Sequence, residues 1–100
     1  MKIVFLTTAR NDLKEIHAYL SNFGETPLKK FRESLEKFCG QVSEMPYMFN
    51  QYEYNSAYRK AIVAYDYLIF YQLDESGRRV KIYRVLHGKR DVARLIAEDE

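Results

Sequence analysis

The groups able to do chemistry in this 100-residue chain cluster near one end. Between Arg78 and Arg94 stand seven basic residues (Arg78, Arg79, Lys81, Arg84, Lys89, Arg90, Arg94) against one acid, Asp91, and His87 lies among them. Residues 1–58 carry seven Lys/Arg and seven Asp/Glu, and the whole chain is only +2. A charge run is most often a solvated face. Concentrated in one segment, it also makes a surface for a polyanion or an acidic partner. The acidic tail Glu98-Asp99-Glu100 follows directly and would partly screen that surface. Elsewhere reactive groups are sparse. Cys39 is the only cysteine, which excludes an intramolecular disulfide, and with His17 and His87 far apart it makes no zinc set. Cys39 follows Phe38 on a helix face and reads as a buried thiol; His17 reads as a surface histidine. No metal or cofactor is implied.

The elements that must position the basic segment are legible from spacing. Tyr58–Ala64, Tyr67–Leu73 and Val80–His87 are rich in β-branched and aromatic residues. Ala64-Tyr65-Asp66 is a tight connection, and Asp74–Arg79 a longer one with Gly77 free to take positive φ. Two successive hairpins make a three-stranded meander that ends in the turn His87-Gly88-Lys89-Arg90-Asp91. Side-chain alternation puts Val80, Ile82, Arg84 and Leu86 on one face of the last strand.

Upstream, Lys2–Leu6 reads as a short strand, and Thr7 or Thr8 as the cap of a following helix. Ala9, Leu13, Ile16, Leu20 and Phe23 form one helical stripe, and Gly24 ends it. Thr26-Pro27 reads as N-cap and N1 of a second helix. Its stripe is Leu28, Phe31, Leu35, Phe38 and Val42, and Gly40 weakens it by about 1 kcal/mol relative to alanine. The two stripes make a helical hairpin that needs a sheet to lie on. Ser43–Ala57 lacks a period and reads as a loop, with Tyr47, Phe49, Tyr52 and Tyr54 pinning it to the core edge. With no basic residue there, stacking on bases is the weaker reading of those rings.

One domain over residues 1–100 is expected, of α+β class: an antiparallel sheet of about four strands, a two-helix hairpin on one face and a short C-terminal helix, Val92–Glu100. That helix is the only material left for the second face. The shortfall suggests that a partner covers Leu68, Phe70, Ile82 and Leu86. No apolar run reaches the ~20 residues of a membrane span. Met1–Leu6 is too short for a signal-peptide core, so a cytoplasmic location is expected.

At this point the sequence resembles the RelE/ParE superfamily of bacterial toxins from type II toxin–antitoxin systems. The resemblance spans nearly the whole chain. It rests on Ala9…Asp12-Leu13…Ile16…Tyr19-Leu20, on Tyr58-Arg59, on Leu68-Ile69-Phe70-Tyr71, and on Arg84-Val85-Leu86-His87-Gly88-Lys89-Arg90-Asp91. It implies a small cytoplasmic toxin, neutralised by a cognate antitoxin that wraps its exposed apolar surface. A homodimer or a heterotetramer with the antitoxin is compatible with this. RelE-like members are ribosome-dependent mRNA endonucleases; ParE-like members resemble them in fold and poison DNA gyrase.

Carried over by position, the RNase groups match in part. Arg59 stands for the first basic residue of the Tyr58–Ala64 strand, but Ala61 takes the place of the next. Leu68 takes the place of an arginine, Arg90 matches the arginine after the last strand, and Ile96 falls where a tail tyrosine would be. Leucine and isoleucine can neither bind a phosphate nor donate a proton. The resemblance therefore implies the ParE-like branch, a plasmid-stabilisation or stress-response toxin that binds gyrase through Lys89, Arg90 and Arg94. The alternative is a RelE-like mRNA interferase acting on ribosome-bound mRNA with Arg59, Arg84, His87 and Arg90; a histidine's ordinary pKa suits an acid–base role. A non-toxic basic binding module on the same fold is the third reading.

Overall fold

A computed structural model describes residues 1–90 and 92–98. The element order is β1 (Lys2–Phe5), α1 (Thr7–Ser21), α2 (Glu25–Glu44), β2 (Gln51–Tyr52), β3 (Asn55–Val63), β4 (Tyr67–Asp74), β5 (Arg79–His87) and α3 (Val92–Glu98). One sheet runs in the order β1-β5-β4-β3-β2. The class is α+β as expected, with two differences in the sheet. It has five strands, because residues 51–52 pair with β3 inside the expected loop; two residues are too few to show an alternation. It is also mixed: β1 runs parallel to β5, with Ile3 opposite Val80 and Phe5 opposite Ile82. A parallel neighbour needs a long crossover, and the helical hairpin and meander supply it.

Both helices form where the apolar stripes are, but their ends differ from expectation. Leu6, not a threonine, is the N-cap of α1, and Gly24 (φ 93°) precedes α2. The Thr8 hydroxyl is used elsewhere, donating to the Tyr83 carbonyl at 2.6 Å. Gly40 does not interrupt α2, because Phe38 and Val42 on either side of it are buried against the sheet. Burying one such side chain contributes about 1.5–3 kcal/mol, which exceeds the local cost of a glycine. Phe23 leaves the stripe altogether. Helix α1 closes at Ser21 with tight bonds from Asn22 N to Tyr19 O and Phe23 N to Leu20 O, which turn Phe23 outward at 61% exposure.

The main apolar core lies between the hairpin and one sheet face. It joins Ile16, Leu20, Phe31, Phe38 and Val42 to Ala61, Ile69, Tyr71, Val80, Ile82 and Val85. Ile82 is therefore under the hairpin, not on the second face. The cause is a β-bulge: Phe70 faces Arg84 and Tyr71 faces Ile82, so Tyr83 is an extra residue in β5. One inserted residue reverses the alternation beyond it, and Ile82 and Leu86 end on opposite faces. On that second face Phe70, Leu86, Tyr52 and Tyr58 pack with Val92 and Ile96 of α3. Phe70 and Leu86 are thus already covered by the chain itself. The apolar side chains left open there are Ile62, 66% exposed, and in part Leu68. Asp99 and Glu100 of the acidic tail lie outside the described residues, as does Asp91.

One polar group holds α1 to the sheet. β1 accompanies β5 only as far as Ile82. Beyond it Leu6 N donates to Ile82 O, Thr8 Oγ1 to Tyr83 O, and Val85 N to Asp12 Oδ2 at 2.9 Å. Side chains of α1 thus continue the edge of β5 where the neighbouring strand stops. Asp12 also takes a two-pronged contact from Arg84, Nε to Oδ2 at 2.7 Å and Nη2 to Oδ1 at 3.0 Å. Its carboxylate is the one buried polar side chain among the described residues, 6% exposed.

Two outcomes follow from this frame. Asp12→Ala leaves the Val85 N–H and the Arg84 contact unmade in a buried setting. It should lower stability in urea unfolding by about 3–5 kcal/mol; a loss below about 1 kcal/mol would show that water replaces the carboxylate. The second concerns Tyr71, whose ring is fully buried and whose hydroxyl donates to Pro46 O. Burial pushes its phenol from 10.0 up to about 12, against the lowering effects of Arg59 and the Phe49 backbone. A group raised on folding contributes stability that is complete below its unfolded value and is lost as pH rises through the folded one. Stability should therefore fall between pH 10 and pH 12, the window set by those two values. The fall should be shallower in Tyr71→Phe, as followed by circular dichroism, and an unchanged slope would count against this origin.

Candidate functional site

Beside the C-terminal half of α1 and the end of β5 a cleft of about 910 Å³ opens. Ile16, Leu20, Tyr67 and Val85 lie at its apolar base. Tyr19 and Phe23, exposed by 57% and 61%, line it from α1 and meet each other edge-on with ring centres 5.3 Å apart. Tyr65 lines it from the β3–β4 connection, and His87, Lys89 and Arg90 from the basic turn.

Local backbone geometry sets this rim. Tyr65 and Asp66 both take positive φ, 62° and 61°. That conformation is uncommon for a non-glycine residue, and for a tyrosine it requires surrounding structure to hold it. Part of the hold is Gly88, whose N–H donates to Asp66 O at 2.9 Å. A Cβ at Gly88 would stand 3.2 Å from that same oxygen, so only a glycine allows so close an approach without a shift. The two turns are thereby docked to each other, and Lys89 and Arg90 follow at a fixed place. At the other connection the left-handed residue is Arg78 (φ 51°), not Gly77. A Cβ at Gly77 would lie 2.6 Å from Asp74 Oδ2, so the paired Asp74 and Arg79 side chains would have to shift to admit one. The Asp74 carboxylate, bonded by Arg79, Gly77 N and Ser76, is held down at about 2.

The expected site residues divide into separate groups. His87 packs edge-on against Tyr67 at 5.2 Å, and its Nδ1 accepts from Lys89 N at 3.2 Å. Together with Lys89 and Arg90, both exposed, it faces the cleft. Arg94 is exposed on α3. Arg84 is engaged by Asp12. Arg59 lies on the hairpin side of β3, where it donates to Phe49 O at 2.6 Å and covers the Tyr47 ring at 5.1 Å. It is level with Tyr71, whereas His87 is level with Tyr67. Four residues along a strand are roughly 13 Å. Arg59 and Arg84 therefore serve the frame, and the cleft gathers only the terminal basic group. Cys39 is half-buried, and burial first, then Glu36, raises its thiol above the ordinary value. Among the described residues no group of three His, Cys, Asp or Glu is placed to hold a metal ion.

Sequence reasoning missed Tyr19, Phe23, Tyr65 and Asp66 as site residues. The available signal was Tyr19 and Phe23 at i, i+4 spacing, but Phe23 also fitted the core stripe. The aromatic loop behaves as expected in part. Phe49 lies against Phe38 and Tyr71 with centres at 5.6 and 6.4 Å, and Tyr52 against Phe70 at 5.0 Å. Tyr54 remains open to solvent.

The chain is thus a mixed five-stranded sheet with one helical hairpin, and its basic turn borders the cleft. The chain resembles the crystal structure of the isolated E. coli RelE toxin, with a TM-score of 0.64 at 17% identity, over 98% of this chain and 96% of that one. This likeness concerns the fold. Residues 3–92 match the family described as the ParE toxin of type II toxin–antitoxin system, parDE, and the chain belongs to that family. No curated protein matches the sequence. Among the described residues no helix is long and apolar enough to cross a membrane.

The docking of the two turns has a measurable consequence. Gly88→Val forces side-chain atoms toward Asp66 O and Leu68 and should displace Lys89 and Arg90. Overpacking of this kind costs about 1–3 kcal/mol. Growth inhibition by the induced chain should drop by about tenfold or more, the equivalent of ~1.4 kcal/mol of lost binding, with the fold retained by circular dichroism. Undiminished inhibition would show that the turn's placement is not needed.

Proposed function

We propose that this chain is a toxin that acts in the bacterial cytoplasm by binding DNA gyrase, as a ParE-like plasmid-stabilisation or stress-response factor. Its family brings with it a cognate antitoxin. The observation that carries the binding reading is the dispersal of the groups an RNase would need. Arg59 holds a loop on the hairpin side, Arg84 is ion-paired, and Ala61 and Leu68 are apolar. Only His87 and Arg90 share a cleft. Cleavage at a 2′-OH needs an activating base, a phosphate stabiliser and a proton donor together near one phosphorus. Binding needs only a surface of suitable shape and charge, and the exposed Lys89, Arg90 and Arg94 provide the charge.

The alternative is ribosome-dependent mRNA cleavage. The one feature in its favour is that His87 and Arg90 lie on the same cleft. Of the residues expected to meet the antitoxin, Leu68 is carried forward together with Ile62. Phe70 and Leu86 become available only if α3 is lifted, and Ile82 belongs to the core.

The deciding experiment uses purified protein in two assays. Gyrase supercoiling should be inhibited, or cleaved DNA trapped, while mRNA on translating ribosomes stays intact. Codon-positioned cuts with gyrase unaffected would reverse the assignment. Arg90→Ala should lose growth inhibition while stability changes by less than about 0.5 kcal/mol, because the side chain is exposed. Inhibition that falls only in step with melting temperature would make Arg90 structural.

A further inference from the structure

The basic run of the sequence does not stay together in the structure. Lys89 and Arg90 reach the cleft, but Arg79 and Lys81 lie at the opposite end of β5, and the gyrase reading leaves them unused. Val80 and Ile82 belong to the core under the hairpin, so Arg79 and Lys81 are on the second face. The parallel pairing of β1 adds Lys2 opposite Arg79 and Val4 opposite Lys81. From β4 come Gln72, opposite Lys81, and Asp74, opposite Arg79. Lys60 of β3 shares this face, with its Nζ 5.6 Å from the centre of the Tyr52 ring. The charges here do not balance. Asp74 is the one acid in the five strands, and Arg79 holds it at 2.6 Å. Among the described residues no carboxylate pairs with Lys2, Lys60 or Lys81. Helix α3 covers Phe70 and Leu86 further along, while Lys2 is exposed and Lys81 half-buried.

Unpaired cations spread over one sheet face fit a polyanion. The rings beside them restrict which one. Bases of a single strand are held by stacking on open aromatic faces. Here Tyr58 is buried and stacks on Tyr83 with centres 4.9 Å apart, and Tyr52 is buried beside Lys60. The phosphates of a duplex need no open ring. Lys2 and Lys81 stand one strand and two residues apart, roughly 8 Å, so their flexible stems can reach different phosphates. We propose that Lys2, Lys60 and Lys81 hold the backbone of duplex DNA without reading its sequence. The role of this contact rests on the gyrase reading: the toxin grips the DNA on which its protein target works, and the basic turn is left for the protein.

Binding is measured on the purified full chain with a short fluorescein-labelled DNA duplex and no gyrase. Three phosphate contacts should give a slope of about −3 for log K against log salt concentration. Lys2→Gln and Lys81→Gln should each reduce that slope by about one and weaken binding at low salt by about tenfold. Lys37→Gln, at an exposed position on α2, should do neither. In the native chain, duplex DNA should shield Lys2, Lys60 and Lys81, but not Lys37, from acetylation read by mass spectrometry; this arm decides if a variant fails to fold. Equal labelling with and without DNA would overturn the proposal. So would duplex binding lost only on Lys89→Gln with Arg90→Gln, which would place the polyanion at the cleft. Tighter binding of single-stranded RNA than of the duplex would overturn it as well. A chain that binds duplex DNA through these lysines and leaves gyrase untouched would end the gyrase reading and keep this one. Gyrase inhibition at native strength by a chain with no affinity for DNA would do the reverse.

Discussion

The carboxylate of Asp12 closes an open sheet edge, and much else depends on that closure. A central strand exposes donors and acceptors on both edges, and each must be paired or hydrated. β5 loses its neighbour after Ile82, midway along its length. The remaining edge is met by Leu6 N, by the Thr8 hydroxyl and by Asp12, all from the start of α1. Because Asp12 also holds Arg84, the charge is matched as well as the hydrogen bond. The pair fixes the height and rotation of α1 against β5. It therefore fixes where Tyr19 stands, two turns further along, and Phe23 just past the helix end.

The bulge at Tyr83 works on the same strand. It turns Arg84 and Val85 relative to Ile82, so that Val85 enters the hairpin core and its N–H reaches Asp12. It also leaves Leu86 on the opposite face, where α3 covers it together with Phe70. One extra residue thus distributes β5 between two cores. The second core then needs little from a partner, and the open apolar surface moves to Ile62 and to the cleft rim.

Function on such a small frame is a matter of surfaces. The basic turn carries charge on exposed side chains. Its placement comes from the Gly88–Asp66 contact and from two left-handed residues in the facing connection. Four arginine or histidine positions looked alike as candidate RNase groups, yet they do different work. Arg59 and Arg84 hold a loop and a helix, and His87 and Arg90 face the cleft. A guanidinium serves either purpose equally well, since its planar donors suit a backbone carbonyl, a carboxylate or an external anion.

The order of elements, the two helical stripes, the meander and the basic run were all legible in the sequence. Each rests on local periodicity or composition, and the stripes bury Ala9, Ile16, Leu20, Phe31, Phe38 and Val42 as the spacing requires. The family could be read as well, because the motifs that carry it fall in those same elements. Only the tertiary structure decided the parallel pairing of β1 with β5, the two-residue strand β2, the face of Ile82 and the role of Asp12. None of these has a local signature. Strand partners are chosen by long-range packing, a bulge is set by the register of two strands at once, and a carboxylate on a helix cannot reveal in sequence which N–H it will meet 73 residues away. The cleft is of the same kind: Tyr19, Tyr65 and Arg90 are far apart in the chain and become neighbours only when α1 is fixed to the edge of β5.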